Sequence, residues 1–331
     1  MFQRKVTGIV NSNKLLLIIV TYYPLEQRLD MKKQNKEKPI ISVVMPVYNA
    51  GDFLVESIQS ILKQTFKSLE FIIYDDASSD KTSKILKQFS RKDKRVRIFK
   101  NERRLGVSAT MKKALEKVRG DYIARMDADD IAMSRRLEKQ INYLKNHERT
   151  VAIGAQCYVI DKKGKVIGKK KFPTNFEQIH KYIFKLIPLQ QPTLMIAKKR
   201  LPRQFEFYRD GMNTAEEVEL LFKLFQYGKV ENLNSYLLKY RMHDKNTSLK
   251  SLKSTFFLTL YSRILGVVKY GCRPDLEGVV ATLLQAIMIV ILPNRLLLYI
   301  YTLIKDMRFK KEKTSIKKGI LIALRISPSR G

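Results

Sequence analysis

From Ile40 onward the chain alternates short apolar runs with amphipathic stretches, and this alternation restricts the fold more than any other feature. ISVVMPVY, Ile41 to Tyr48, is a nearly continuous run rich in β-branched residues. In DFLVESIQSILKQTF, by contrast, Leu54, Ile58, Ile61 and Leu62 recur at helical spacing. LEFIIYDD then predicts a second strand, KTSKILKQFS a second helix, VRIFK a third strand, GVSATMKKALEKV a third helix and DYIARMDADD a fourth strand. Strands separated by single helices imply right-handed crossovers, so the expected class is α/β with a mostly parallel central sheet flanked by helices.

Three polar clusters fall at the carboxyl ends of these strands: Pro46 to Asn49, Asp75 with Asp76, and Asp127 with Asp129. Open α/β sheets bind ligands at that edge. The stretch GDYIARMDADD crowds Asp127, Asp129 and Asp130 together, and like charges that close repel unless a cation sits between them. A divalent metal holding phosphate meets that need, because Mg²⁺ and Mn²⁺ prefer oxygen ligands and take one or two carboxylates beside substrate phosphates. The alternative for the same residues is a solvated Asp-rich turn. Neither GxGxxG after the first strand nor GxxxxGK[ST] is present, so neither the dinucleotide fingerprint nor a P-loop explains the edge.

The formal net charge of +33 over 331 residues calls for an anionic partner or reflects a lysine-rich solvated surface. Nucleic acid, an anionic membrane and phosphorylated substrates all qualify as partners. Lysines are spread along the chain, with one dense block in KKGKVIGKKK, Lys162 to Lys171. No aromatic-interleaved basic helix, zinc finger or RNA-binding signature accompanies them, which leaves nucleic-acid binding a minor alternative. Cys157 and Cys272 make no disulfide framework and no zinc spacing, which points to a reducing compartment. His147, His180 and His243 are too scattered for an obvious metal cluster.

The order of the motifs resembles the family 2 glycosyltransferases, which have the GT-A fold, a Rossmann-like arrangement. The matching stretches are ISVVMPVYNAGDFLVESIQSILKQTF, LEFIIYDDASSDKT, NERRLGVSAT, GDYIARMDADDIAMSRRLEKQ, VAIGAQCYVID, QPTLMIAKK, AEEVELLFKL and YRMHDKNTS, running in family order across roughly residues 40 to 248. The resemblance implies that Pro46, Val47 and Tyr48, with Asn49, cradle the nucleotide base, that Asp76 accepts from the base's N–H edge, and that Gly106 belongs to the nucleotide-sugar site. It implies Asp127 near the ribose and metal, Asp129 as the direct metal ligand, and His243 approaching the metal or diphosphate. Asp130 is expected to face solvent or to cap the helix that follows. Glu217, preceded by Glu216, falls where the family keeps its catalytic base. That position is usually Asp in a Glu-Asp pair, and the swap puts the base assignment in question.

What these parts imply is a metal-dependent, inverting hexosyl- or N-acetylhexosaminyl-transferase using Mn²⁺ or Mg²⁺. It would move a sugar from a nucleotide-diphosphate sugar, a UDP-sugar, to a glycan or lipid-linked acceptor in surface-polysaccharide synthesis. A catalytically silent GT-A binding or assembly module is the competing reading, motivated by the Glu-for-Asp departure. Bland alternatives stand beside each residue: a turn or N-cap acid for Asp76, first-turn helix acids for Glu216 and Glu217, an exposed loop histidine for His243.

Outside the motifs, residues 1–38 read as a tail, 39–250 as the glycosyltransferase domain and 251–331 as a helical region with an apolar hairpin and basic tail. In the tail, Leu15 to Val20 falls far short of the roughly 20 residues that span a bilayer, and no small-residue cleavage site follows it. Met31 looks like a natural start, which would make the preceding residues an upstream extension. Val279 to Leu292 is almost wholly apolar, about 21 Å long as a helix, too short for a hydrocarbon core of about 30 Å. Pro293-Asn294-Arg295 breaks it, Leu296 to Ile304 resumes it, and basic residues from Lys305 to Lys318 follow. An interfacial or re-entrant hairpin on an anionic leaflet fits this pattern, with peripheral attachment at the cytoplasmic face. A helical pair packed on the rest of the fold and a kinked spanning helix are the alternatives.

Overall fold

The run from Ile41 forms β1 (Ile41–Val47), buried on both faces, as expected of a central strand in a parallel sheet. A computed structural model describes residues 38–209, 215–243, 252–293 and 296. α1 (Leu54–Leu62) follows, turning Leu54, Ser57, Ile58 and Ile61 inward. Next come β2 (Leu69–Asp75), α2 (Thr82–Lys92), β3 (Val96–Lys100), α3 (Val107–Glu116) and β4 (Tyr122–Arg125). These four strands lie parallel in the order β3-β2-β1-β4, with Ile41 beside both Leu69 and Tyr122. The α/β expectation holds for this half, element by element.

The second half departs from simple alternation. β5 (Ile131–Ala132) is a two-residue strand, α4 (Arg136–Asn146) follows it, and β6 (Thr150–Ile160) turns back through the hairpin strand β7 (Val166–Lys170). After α5 (Phe176–Tyr182), the short β8 (Met195–Ile196) inserts antiparallel between β4 and β6. α6 (Glu216–Phe225) leads into β9 (Lys229–Arg241), which runs parallel to β6 and pairs antiparallel with β5. The complete order is β3-β2-β1-β4-β8-β6-β9-β5, with β7 on β6. Apolar cores fill both faces. Val43, Met45, Phe71 and Leu137 belong to one, and Val44, Ile72, Met111 and Phe222 to the other.

Register brings the polar clusters to one edge. Val47 lies beside Asp75, the Asp76 N–H donates to the Val47 carbonyl at 2.8 Å, and the Met126 N–H donates to the Val44 carbonyl at 3.0 Å. The strand expected over DYIARMDADD stops at Arg125, and the acids occupy the turn beyond it. Ser57 on α1 fixes that turn by donating to the Asp127 carbonyl at 2.9 Å.

The described residues from Pro39 onward belong to one compact unit. α7 (Leu252–Val268) packs on α6, where Gly266 lies against the Phe222 ring. The apolar run from Val279 is α8 (Leu276–Ile291), capped by Asp275 and packed on α7. Its polar positions face the sheet domain: Thr282 donates to the Phe184 carbonyl at 3.0 Å, and Gln285 to the Lys185 carbonyl at 2.8 Å. Arg263, buried in α7, donates to the Ile183 carbonyl at 2.9 Å. No helix among the described residues is long and apolar enough to cross a membrane. The N-terminal tail with its Met31 start, the second apolar run beyond Leu296 and the basic block after it lie outside the described residues.

A Cβ on Gly266 would come within 2.6 Å of the Phe222 ring. Gly266→Val is therefore expected to lower stability by about 1–3 kcal/mol through overpacking, read as a fall in the urea midpoint; an unchanged midpoint would place α7 elsewhere.

Candidate active site

The acidic turn is charged on one side only, and the sheet supplies the opposite sign from beneath. Arg125, the last residue of β4 and buried, grips the Asp127 carboxylate from Nε at 3.1 Å and Nη2 at 3.0 Å. Burial opposes the Arg125 charge, but Asp127, Tyr208 and Glu216 together hold its pKa above the ordinary value. Asp127 is pushed upward, first by burial and further by Asp129, against the pull of Arg125. Asp129 is partly exposed and meets the His243 ring, whose Nε2 lies 2.9 Å from Asp129 Oδ2. The imidazole stacks on Phe53 with centroids 4.9 Å apart.

Asp130 corrects an expectation: it neither faces solvent nor caps α4. Its side chain is 0% exposed, and Oδ1 accepts the Arg241 N–H at 2.9 Å. Burial, then the neighbouring aspartates, drives its pKa well above the usual range. The alternation of the turn explains the reversal, because Asp129 points to the rim and the next side chain must point back under β9.

At the other end of this edge, Asp76 is buried, and the loop before α3 uses its carboxylate. Oδ1 accepts from Asn101 Nδ2 and the Leu105 N–H, both at 2.8 Å, and Oδ2 accepts from the Gly106 N–H at 2.8 Å. Gly106 has φ +91°, a left-handed conformation that glycine adopts without a Cβ clash. Asp75 spends both oxygens locally, on the Ser78 N–H at 2.9 Å and the Ser83 hydroxyl at 2.8 Å. Tyr48 is 41% exposed, and the Arg104 guanidinium lies 4.1 Å from its ring centroid. Pro46 is partly buried beside Tyr74, while the Val47 side chain is fully buried and contributes packing. Asn49, at φ +47°, accepts from the Ser79 N–H at 2.9 Å and closes the loop after β1.

Glu216 and Glu217 open α6. Glu216 is buried and accepts from Gln191 Nε2 at 3.1 Å. Glu217 is pushed up to about 8, first by burial and then by the Glu216 charge, with Arg125 pulling the other way and Asp127 adding to the rise. Asp127, Arg125, Tyr208 and the two glutamates thus share one electrostatic environment. Arg125, Gln191, Tyr208 and Arg241 were not among the residues expected from sequence. An arginine interrupting the apolar run YIAR was a visible signal for the first; the others carry none.

The model for Glycosyl transferase family 2 matches residues 42–204. An uncharacterised glycosyltransferase of Methanocaldococcus jannaschii is 35% identical over 230 residues, spanning 68% of this chain and 79% of that protein. The chain belongs to glycosyl transferase family 2. The O-antigen biosynthesis glycosyltransferase WbnJ of Escherichia coli is 32% identical over 222 residues, 64% of this chain and 84% of that one. Among solved structures, S. aureus TarS 1-349 in complex with UDP-GlcNAc superposes with a TM-score of 0.55 at 18% identity, covering 73% of this chain and 69% of that one. The mannosyltransferase PcManGT from Pyrobaculum calidifontis, in complex with GDP-Man and Mn²⁺, gives 0.52 at 14% identity over 94% and 96%. At these identities the two structures establish the GT-A fold. As a family 2 member, the chain is a glycosyltransferase.

Asp76→Asn would turn an amide NH₂ toward N–H donors. It is expected to cost about 2 kcal/mol, the scale of a charge-assisted hydrogen bond lost, measured by urea unfolding; an unaltered midpoint would mean that the loop before α3 does not depend on this carboxylate.

Proposed function

We propose that this glycosyltransferase moves a sugar from a UDP-sugar to a hydroxyl of a glycan or lipid-linked acceptor, with inversion, in surface-polysaccharide synthesis. The observation that carries the reading is the convergence on Arg125 of two acidic groups, the Asp127–Asp129 turn and the Glu216–Glu217 pair. The O-antigen relative supports the polysaccharide role, and the UDP-GlcNAc complex of TarS supports the donor class.

Among the described residues no group of three or more His, Cys, Asp or Glu side chains is arranged to hold a metal unaided. Asp129 with His243, and Asp127 beside them, instead offer a short donor set of carboxylate oxygen and imidazole nitrogen. That set fits Mn²⁺ or Mg²⁺, which completes its coordination with water and substrate phosphates. The Mn²⁺ in PcManGT supports the same assignment. When bound there, the cation neutralises charge building on the departing diphosphate.

The protein's own groups supply the remaining steps. Tyr48 offers a flat exposed ring for the base, and Asp76 with the Gly106 loop frames it. Glu217 accepts the proton of the acceptor hydroxyl as that oxygen bonds to the anomeric carbon. The bond from that carbon to the diphosphate breaks on the opposite face, and its electron pair leaves with the diphosphate. Attack opposite the leaving group inverts configuration without a covalent enzyme intermediate.

The acceptor is read as presented at an anionic membrane surface. On α8, Leu276, Val280, Leu283, Ile287 and Val290 form one exposed stripe at helical spacing, with Val290 at 82% exposure. Phe257, Ile264 and Val268 do the same on α7. An exposed apolar face on a chain of formal net charge +33 suits an interfacial position against anionic headgroups. The protein would then work peripherally, at the cytoplasmic face.

Glu217→Gln is expected to keep donor binding and lose transfer by at least about 100-fold, and Asp129→Ala to abolish metal-stimulated turnover in a nucleotide-release assay. Near-normal turnover in Glu217→Gln would refute the base assignment, and donor binding without turnover in the wild type would make the protein a silent module. Because the folded pKa of Glu217 lies above its ordinary 4.5, the base is protonated at neutral pH, and transfer should rise with pH up to about 8. The native state binds the extra proton, so this residue's contribution to stability is present at acid pH and is lost as pH rises through the same window. Flotation with anionic vesicles at low salt should carry the full-length protein upward; absence from the lipid fraction would remove the membrane reading.

A further inference from the structure

Arg241, the last residue of β9, is 1% exposed, yet it touches three separate stretches of chain. Its Nε donates to the Asp129 carbonyl at 2.8 Å, and its Nη1 to the carbonyls of Lys162 at 3.0 Å and Asp161 at 3.3 Å. Nη2 pairs with Glu56 on α1. The backbone N–H of the same residue holds Asp130, as described above. The guanidinium also lies over the Phe53 ring, 4.8 Å from its centroid, and the His243 imidazole lies within stacking distance of that ring. The guanidinium, phenyl and imidazole groups are thus linked through Phe53, and both ends of the series reach Asp129, one at its carbonyl and the other at its carboxylate.

We propose that Arg241 is a positioning residue that sets the spacing of Asp129 and His243, and through it the affinity of the rim for a divalent cation. It does not itself reach a ligand, because its donors are committed to protein acceptors and it has no surface. The inference rests on the reading of Asp129 and His243 as the metal-holding pair. A planar fork is what the geometry uses: donors leaving in three directions reach Asp129, the Asp161–Lys162 turn and Glu56 together. Lysine would keep the charge and lose that span, so Arg241→Lys separates geometry from electrostatics. Phe53→Leu removes the ring that guanidinium and imidazole both approach and deletes none of the arginine's hydrogen-bond acceptors.

The test measures Mn²⁺ binding to full-length wild type, Arg241→Lys and Phe53→Leu by electron paramagnetic resonance. It is paired with turnover as a function of Mn²⁺ at saturating donor and with a melting curve of each metal-free protein. Loss of the supporting contacts of a metal ligand typically weakens affinity by about 10- to 100-fold, and Arg241→Lys should fall in that range, with kcat recovering as Mn²⁺ is raised. Phe53→Leu should move in the same direction and decides the matter if Arg241→Lys does not fold. A folded variant that binds Mn²⁺ as tightly as wild type overturns the proposal. A wild type that binds no Mn²⁺ overturns the metal reading of the rim, and the proposal with it.

Discussion

The holding of three crowded carboxylates by protein groups, among them the buried Arg125, is the interaction on which this structure depends. Asp127, Asp129 and Asp130 cannot sit together at a sheet edge unless their mutual repulsion is met. Sequence reasoning assigned that task to a bound cation. The fold answers it first with its own groups: Arg125 on Asp127, His243 on Asp129, and the β9 end at Arg241 on Asp130. Arg136, fully buried in α4, adds a further positive charge beneath them and donates to the Arg125 carbonyl at 2.7 Å. Burial pushes its pKa down to about 10, still far above neutrality. The turn is therefore organised by the protein's own groups, a guanidinium, an imidazole and a backbone N–H, and a metal would enter a prepared rim rather than assemble one.

The same economy governs the acidic pair on α6. Two glutamates in a first turn gain from the helix dipole, which is why that bland reading was open from sequence alone. What the dipole does not explain is Glu216 buried against Gln191 and Glu217 held above neutrality beside it. A carboxylate with its proton affinity raised into the neutral range is matched to removing a proton from an alcohol. Tyr208 and Arg125 belong to the same electrostatic environment as this pair.

Much of the first half was legible because its signals are periodic. β1 to β4 and their helices follow from β-branched runs and from apolar residues three and four apart, and the edge carrying Pro46, Asp76 and Asp127 follows from where the runs stop. The second half was less legible for a physical reason. β8 has two residues and β5 two, too few for any period, and the parallel pairing of β6 with β9 joins segments about seventy residues apart through irregular registers. Asp130 illustrates the limit within the site. Composition marks it as a third acid, but only the turn geometry decides that it points inward. Arg241 is similar: YRMH advertises a histidine, while the arginine two places earlier gives no sign of reaching three stretches of chain.

The β6–β7 hairpin carries a consequence beyond the site. Among the described strands β7 pairs only with β6, and it exposes Val166 and Ile167 along a free border. Bare hydrogen-bonding borders of this kind template association with other chains, and charged side chains, lysine above all, discourage it. The KKGKVIGKKK block brackets those two aliphatic residues with ammonium groups on both sides. Lysines of this block therefore sit where strand-edge association would otherwise be favoured, and Lys169 and Lys170 also lie over the Tyr236 and Tyr240 rings, a use of positive charge that needs no anionic partner.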